Sequence, residues 1–249
     1  MGGRRPATPH SRASPANSQG LLVHDDGFIY ESTGLYGGRS KLRKLDPATF
    51  KVLKEATLPA KFFGEGIVIW KDRIIFLTWR EKTAFIYDVE TFALVDTKAF
   101  VTPTGEGWGI THDGTHLIVS DGSQWLVFWD PVTLEEVRRV VVHTEGGHAV
   151  QHINELEFVG GSVLANVWYK DEIARIDPAT GLITAWYSLR GVLPRSKRNG
   201  HEDCLNGIAV VGGPAVAFDN TADISSVELY VAGDMSNIRG TRVLVGTMS

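Results

Sequence analysis

The fold of this chain is decided by a short turn sequence that occurs four times: Asp46-Pro47-Ala48-Thr49, Asp88-Val89-Glu90-Thr91, Asp130-Pro131-Val132-Thr133 and Asp177-Pro178-Ala179-Thr180. The leading aspartates lie 42, 42 and 47 residues apart. Aspartate favours such a turn because its carboxylate accepts hydrogen bonds from nearby backbone N–H groups, and proline fixes φ. Apolar residues precede and follow each turn, so each copy predicts a β-hairpin.

A second phrase alternates with these hairpins and leads into a further pair of strands. Its five copies are Gln19-Gly20-Leu21-Leu22, Glu65-Gly66-Ile67-Val68, Trp108-Gly109-Ile110, Asn154-Glu155-Leu156-Glu157 and Asn206-Gly207-Ile208-Ala209. Four strands therefore recur about every 42 to 52 residues, which is typical of blades around a central axis. We predict an all-β fold, a five-bladed β-propeller that forms a single domain over residues 17–249.

The last blade fits the repeat least well. Only two β-rich runs, Leu229-Tyr230-Val231 and Arg242-Val243-Leu244-Val245, follow the phrase at Asn206, after an irregular stretch at 212–226. We therefore predict that this blade is incomplete or irregular, with three strands and an unpaired edge.

The ends and the composition of the chain exclude several classes of protein. Residues 1–16 are polar, basic and rich in Pro and Ser, so we expect a disordered or truncated tail; it has no apolar segment typical of a signal peptide, and localisation stays open. The net charge of −4 has no long basic run, which argues against nucleic-acid or membrane-surface binding. No apolar run approaches the roughly 20 residues that span a bilayer. The single cysteine, Cys204, excludes an intrachain disulfide.

Residues at matching positions of a propeller repeat point to one place, because the first strand of each blade lines the central channel. The position that leads the second phrase is occupied by Gln19, Glu65, Trp108, Asn154 and Asn206. The ends of the second strands add Trp79 and Trp168. This mixture of one carboxyl, three amides and three indoles predicts a pocket at the mouth of the channel. The alternative is that these residues only pack between blades.

Glu65 is the candidate for proton transfer. It lies between two glycines that allow close approach of backbone, and it follows two phenylalanines. Burial beside aromatic rings raises the pKa of a carboxyl, which suits general acid–base work near neutral pH. No second carboxylate occupies a matching position, so the pattern does not support the paired acids of a glycosidase.

Two other patterns are weaker. His143, His148 and His152 lie close together, but no cysteine or aspartate completes a metal-binding spacing, and we expect a solvated loop. The sequence Gly105-Glu106-Gly107-Trp108-Gly109 looks like a phosphate-binding loop, yet it leads into a strand and not a helix. We predict no metal and no cofactor.

Several ordered phrases resemble the plant and bacterial type of glutaminyl cyclase. They are Ser18-Gln19-Gly20-Leu21, Tyr30-Glu31-Ser32-Thr33-Gly34-Leu35-Tyr36-Gly37, Phe63-Gly64-Glu65-Gly66, Leu77-Thr78-Trp79, Gly107-Trp108-Gly109, Ser120-Asp121-Gly122, Ile153-Asn154-Glu155-Leu156-Glu157, Ala165-Asn166-Val167-Trp168 and Leu205-Asn206-Gly207-Ile208. Together they span about residues 18 to 210.

The resemblance implies a five-bladed propeller that converts the N-terminal glutamine of peptides or proteins to pyroglutamate and releases ammonia. It implies that Glu65 is the catalytic acid and base. It further implies that two amides and three indoles bind the substrate: Gln19, Asn154, Trp79, Trp108 and Trp168. The expected partners are peptides or proteins with N-terminal glutamine, acted on by a monomer without nucleic acid or membrane.

The chain departs from the family pattern at two positions. Asn17 stands where the family has an aromatic residue, and Asp234 stands in the last blade where the family has a lysine. These departures motivate an alternative, a catalytically degenerate propeller that serves as a protein-binding module. A propeller lactonase is a third alternative, but it would need a ring of metal-binding carboxylates, and only Glu65 occupies such a position.

Overall fold

The structure, a computed structural model, describes residues 18–190, 205–210, 226–233 and 241–246. Within these ranges the ordered elements are nineteen β-strands arranged in five antiparallel sheets. In every sheet, strands that are consecutive in the chain are hydrogen-bonded neighbours. Several features singled out in the sequence lie outside the described residues: the tail at 1–16, Asn17, Cys204, the irregular stretch up to residue 225, and Asp234.

The strands of the five sheets have the following bounds. The first sheet contains β1 (Ser18–Val23), β2 (Ile29–Thr33), β3 (Lys41–Leu45) and β4 (Val52–Thr57). The second contains β5 (Gly64–Trp70), β6 (Arg73–Thr78), β7 (Thr83–Asp88) and β8 (Leu94–Ala99). The third contains β9 (Ile110–His112), β10 (Leu117–Val119), β11 (Trp125–Trp129) and β12 (Glu136–Val141). The fourth contains β13 (Ile153–Val159), β14 (Ser162–Val167), β15 (Glu172–Ile176) and β16 (Ile183–Ser188), and the fifth contains β17 (Leu205–Val210), β18 (Ser226–Gly233) and β19 (Thr241–Gly246).

The sheets are arranged around an axis that is lined by their first strands. Strand β1 contacts β5 and β17, and β13 contacts β9 and β17, while β5 also contacts β9. The apolar core lies between neighbouring sheets; Tyr30 and Leu42 of the first sheet, for example, join one cluster with Ile74, Phe76 and Phe85 of the second. The prediction of an all-β propeller is confirmed. Four sheets are complete four-stranded blades, so the structure has four complete blades where the repeat predicts five units, and the fifth sheet has three described strands.

The repeated turns join the third and fourth strands of the four complete blades, as predicted. One carboxylate oxygen of Asp46 accepts hydrogen bonds from the backbone N–H groups of Ala48 and Thr49 and from the Thr49 hydroxyl. The residue after the turn has a positive φ, at Phe50, Phe92 and Leu134, and the fourth copy has Gly181 there. A Cβ at Gly181 would lie 2.0 Å from the carbonyl oxygen of Val141, so only glycine fits. These four hairpin predictions are confirmed.

Two carboxyls of β13 occupy the channel and link three sheets. The Glu155 side chain accepts hydrogen bonds from the backbone N–H of Leu21 in β1 (3.3 Å) and of Ile208 in β17 (2.7 Å). Glu157 accepts one from the N–H of Val210 (3.2 Å). Burial raises the pKa of Glu155 well above its ordinary value, and the nearby Glu157 raises it further. Burial likewise raises the pKa of Glu157 to about 8.

Glu157 also lines a cavity of about 50 Å³, together with His24, which follows β1, and His112 at the end of β9. Burial lowers the pKa of His112 to about 4, so this imidazole is neutral near pH 7. The cavity therefore favours a protonated Glu157 carboxyl and a neutral His112 imidazole.

We predict that the part of the folding stability that depends on Glu157 falls as pH rises from about 5 to 8. The unfolded chain loses the Glu157 proton near its ordinary pKa of 4.5, whereas the folded protein keeps it until about pH 8, so deprotonation favours unfolding across this interval. Glu157→Gln removes the titrating group, and its Tm should fall less over this range than that of the wild type, by about 3 °C or more. Thermal unfolding between pH 5 and 8 measures the difference.

The control is Glu145→Gln, which neutralises an exposed loop carboxyl and should keep the wild-type pH profile. A Glu157→Gln profile parallel to the wild type would show that this carboxyl titrates normally in the folded protein.

Candidate active site

The leading position of the repeated phrase coincides with an irregularity in the first strand of four sheets. The pairing between first and second strands shifts register between Ser18 and Gly20, between Gly64 and Ile67, between Ile153 and Leu156, and between Leu205 and Ile208. These intervals contain Gln19, Glu65, Asn154 and Asn206. Bulges of this kind re-aim a side chain and are frequent beside active sites. Since the first strands surround the channel, the irregularities bring these residues to the same end of it.

Glu65 is 8% exposed and is the second residue of β5, the first strand of its blade. Its backbone carbonyl accepts a hydrogen bond from the Ser32 hydroxyl of the neighbouring blade. Its charge acts on Tyr36: after burial and the hydrogen bond to Glu81, the nearby Glu65 helps to raise the pKa of that phenol. The structure therefore places the candidate acid in a largely enclosed position close to an aromatic residue of the first blade.

Trp79 and Trp108 come from different blades and meet at one carboxylate. The Trp79 indole donates its Nε1–H to Glu106 Oε2 (2.7 Å), and the Trp108 indole donates to the same oxygen (3.0 Å). Phe63 extends this wall, with its ring 5.6 Å from that of Trp79. The two indoles are partly exposed, so each presents part of its ring to solvent at the channel mouth.

Trp168 continues the aromatic wall on the other side. Its ring meets Trp108 edge to face at 5.3 Å and stacks on Tyr169 at 4.1 Å. His152 contacts both Trp168 and Tyr169, at 6.2 Å in each case. The structure thus brings the three predicted tryptophans into one connected group.

The three amides occupy the remaining sectors of the ring. Asn206 donates its Nδ2–H to Gln19 Oε1 (2.6 Å), which links the fifth sheet to the first, and both Asn206 and Asn154 are 5% exposed. The backbone carbonyl of Asn154 accepts a hydrogen bond from the Ser120 hydroxyl (2.6 Å). With its oxygen engaged by Asn206, the Gln19 side chain has N–H groups to offer to a carbonyl oxygen.

The Trp108 ring packs directly against the backbone of Gly122. A Cβ at Gly122 would lie 2.5 Å from Cζ2 of the Trp108 indole, and its φ of +78° also favours glycine. The matching positions at the ends of the second strands are Gly34, Trp79 and Trp168, so the blades alternate between a glycine and an indole at this point. The placement of Trp108 therefore depends on the absence of a side chain in its own blade.

The structure also includes residues that the sequence analysis did not single out. Glu106 was noted only as part of a glycine-rich stretch, although its position two residues before Trp108 was a usable signal. Tyr36 and Phe63 lie in quoted phrases, but their approach to each other (5.3 Å) is a tertiary contact between blades.

The three histidines at 143, 148 and 152 lie in a largely exposed segment between β12 and β13. His148 and His152 are exposed and His143 is partly buried, as expected for a solvated segment. Among the described residues there is no group of three or more His, Cys, Asp or Glu side chains able to hold a metal ion. The same ranges contain no helix with the length and hydrophobicity to cross a membrane.

The fold is an all-β propeller, and comparisons with known proteins show the family to which the chain belongs. The profile of the glutamine cyclotransferase family matches residues 6–218. A glutaminyl-peptide cyclotransferase of Arabidopsis thaliana is 38% identical over 196 residues, which is 78% of this chain and 60% of that protein. The crystal structure of Myxococcus xanthus glutaminyl cyclase has a TM-score of 0.77 and 28% identity, covering 95% of this chain and 94% of that one.

The chain belongs to the glutamine cyclotransferase family. It spans 60% of the length of the Arabidopsis relative.

We predict that Gly122→Ala destabilises the protein more than backbone strain alone explains. The added methyl would overlap the Trp108 ring, and overpacking of this kind costs about 1–3 kcal/mol in addition to the strain of a positive φ. Gly114→Ala is the matched control, because Gly114 has a φ of +85° and no neighbour within 4 Å of its Cβ position. Denaturant unfolding of the two variants measures the difference, and equal losses of stability would contradict the overlap.

Proposed function

We propose that this protein is a glutaminyl-peptide cyclotransferase, which converts the N-terminal glutamine of a peptide or protein to pyroglutamate and releases ammonia. The observation that carries the proposal is the buried Glu65 in the first strand of a blade, in a chain that belongs to the glutamine cyclotransferase family. The connected group of three indoles supports it, because such a wall suits the aliphatic part of a glutamine side chain.

The reaction needs no nucleophile from the enzyme. The α-amine of the substrate attacks its own side-chain carboxamide carbon; a C–N bond to the amine forms, and the C–N bond to the amide nitrogen breaks. The net proton movement is from the attacking amine to the departing ammonia. Since both reacting groups belong to one residue, the site must hold the side chain folded back and move that proton.

Glu65 has the role of general base and then general acid in this proposal. Its carboxylate takes the proton from the attacking amine and delivers it to the leaving nitrogen. The glycines on either side of Glu65 let other parts of the protein pack closely around it, since a Cβ at Gly64 would lie 2.5 Å from the Phe76 ring and one at Gly66 would lie 2.6 Å from the Trp108 carbonyl oxygen.

The other predicted residues bind and polarise the substrate. Gln19 and Asn154 direct their amides to the substrate, where an N–H can stabilise the negative charge that develops on the carboxamide oxygen. Trp79, Trp108 and Trp168 form walls that exclude water from the reacting groups. No step requires a metal or a cofactor, since the only covalent changes occur within the substrate.

We also propose that residues 17–249 form one domain, a five-bladed ring with the three-stranded sheet as its last blade, which acts as a monomer. The contacts of β17 with both β1 and β13 support this closure, as does the hydrogen bond between Asn206 and Gln19.

We predict that Glu65→Gln lowers the rate of cyclisation by about 10²-fold or more, because an amide of the same size cannot move the proton. The purified chain is incubated with a peptide that begins with glutamine, and ammonia release is followed together with the loss of about 17 Da, the mass of that ammonia, from the peptide. Glu90→Gln, an exposed carboxyl in a turn of the same blade, should retain the wild-type rate.

Equal rates for the wild type and Glu65→Gln would remove the catalytic role of Glu65. A folded wild-type protein that releases no ammonia, but retains a Gln-initiated peptide, would favour the alternative of a binding module. A peptide with an acetylated N-terminus serves as the substrate control, since its blocked amine cannot attack.

A further inference from the structure

The carboxylate of Glu106 connects two walls of the candidate site, and the proposed chemistry does not use it. A single oxygen, Oε2, accepts the indole N–H of Trp79 at 2.7 Å and that of Trp108 at 3.0 Å. The other oxygen, Oε1, faces Arg80 Nε at 3.0 Å. The angle between two rings from different blades is therefore set by one acceptor atom.

The backbone around Glu106 holds this acceptor in place. The Thr102 hydroxyl donates to the Glu106 carbonyl (2.7 Å), and the Glu106 N–H donates to the Thr104 hydroxyl oxygen (3.2 Å). Thr104 is in turn bonded twice to Asp121, which is 1% exposed. The loop is therefore fixed on both sides of Glu106 by hydrogen bonds that do not involve the indoles.

Arg80 completes the arrangement from the solvent side. Its guanidinium lies 3.7 Å from the centre of the Trp79 ring while it pairs with Glu106. Burial by itself raises the pKa of the Glu106 carboxyl, but the hydrogen bonds from Trp108, Trp79 and Arg80 outweigh it and lower that pKa below its ordinary value. Glu106 is therefore ionised throughout the neutral range. It remains a hydrogen-bond acceptor whether Glu65 is protonated or ionised.

An indole N–H is a donor only, so its ring orientation is fixed when the donor has one strong acceptor. Hydrogen bonds to an ionised acceptor are shorter and stronger than those between neutral groups. Trp79 and Trp108 share such an acceptor, and Trp108 in turn contacts Trp168 edge to face. A substitution at Glu106 would therefore alter the orientation of Trp79 and Trp108 directly, and that of Trp168 through its contact with Trp108.

We propose that Glu106 is a positioning residue that holds Trp79 and Trp108 as one unit and so sets the width of the slot that receives the glutamine side chain. The assignment of the slot rests on the proposed cyclotransferase function. Glu106 acts through the indoles and does not touch the reacting atoms. Its loss should therefore weaken substrate binding more than it slows the chemical step.

The first test observes the indoles directly and does not depend on activity. Two-dimensional ¹H–¹⁵N NMR of the full chain resolves the indole N–H signals, and Trp79→Phe and Trp108→Phe assign the two of interest among seven tryptophans. Glu106→Ala should move both assigned signals, because both protons lose the same acceptor. Glu106→Gln retains an oxygen that can accept from both indoles, so it should move them less.

The second test measures kinetics on a Gln-initiated peptide. Glu106→Ala should raise KM by about 10-fold or more and change kcat less, and the pH profile of kcat should keep its wild-type shape, because the proton-transfer group is untouched. Glu106→Gln should recover most of the wild-type KM. Glu90→Ala, which removes an exposed carboxyl of the preceding blade, should leave the kinetics and the NMR signals unchanged.

The proposal is overturned if Glu106→Ala leaves both indole signals in place, or if it moves them while the KM of an active protein stays at the wild-type value. If Glu106→Ala does not fold, Glu106→Asp takes its place, because its shorter side chain withdraws the acceptor from both indoles. Unmoved indole signals in that variant overturn the proposal. A wild-type protein that releases no ammonia contradicts the cyclotransferase function, whereas movement of both signals together still supports the shared acceptor.

Discussion

The close approach of neighbouring first strands is the constraint on which the rest of this structure depends. The residue after the leading position of the repeated phrase is Gly20, Gly66 and Gly109 in the first three blades, and a Cβ there would lie less than 3 Å from the backbone of the next blade. At this contact the N–H of Gly66 donates to the carbonyl of Trp108 (2.8 Å). Blades this close to one another leave a narrow channel, and the preceding residue is directed to its mouth.

Glu155 occupies the same repeat position in the fourth blade, where it contacts the neighbouring sheets through its side chain and not through close backbone packing. Glu155 has a side chain where the other four copies have glycine, and its two oxygens accept backbone N–H groups from the first and fifth sheets. A buried carboxyl with these partners is costly when ionised, and its raised pKa reflects that cost. The channel is therefore closed on one side by glycine contacts and on the other by hydrogen bonds to a side chain.

The candidate site inherits its geometry from this framework. Register shifts in the first strands turn Gln19, Glu65 and Asn154 toward one end of the channel, and the ends of the second strands supply the indoles. Trp79 and Trp108 differ from the amides because a loop residue, Glu106, accepts their indole N–H groups. The Trp108 ring also packs against Gly122, where a side chain would overlap it. Rigid strands thus place the polar groups, whereas a loop carboxylate sets the aromatic walls.

The sequence by itself determined the repeat, the hairpin turns, the propeller class and the residues that lead each blade. Such features follow from local rules: aspartate caps its own turn, and β-rich runs at a fixed period can bury their faces only by stacking as blades. The repeat also predicted where Glu65 and the indoles would gather, because equivalent positions around an axis converge.

Only the tertiary structure decided which side chains bind one another across blades. The shared acceptor of Trp79 and Trp108, the span of Glu155 over the channel and the contact of Trp108 with Gly122 join residues from different strands and loops. Their geometry depends on the distance and angle between elements, and no spacing along the chain encodes those quantities. The count of complete blades likewise depended on strand pairing, since a β-rich run has no fixed partner until the sheets are assembled.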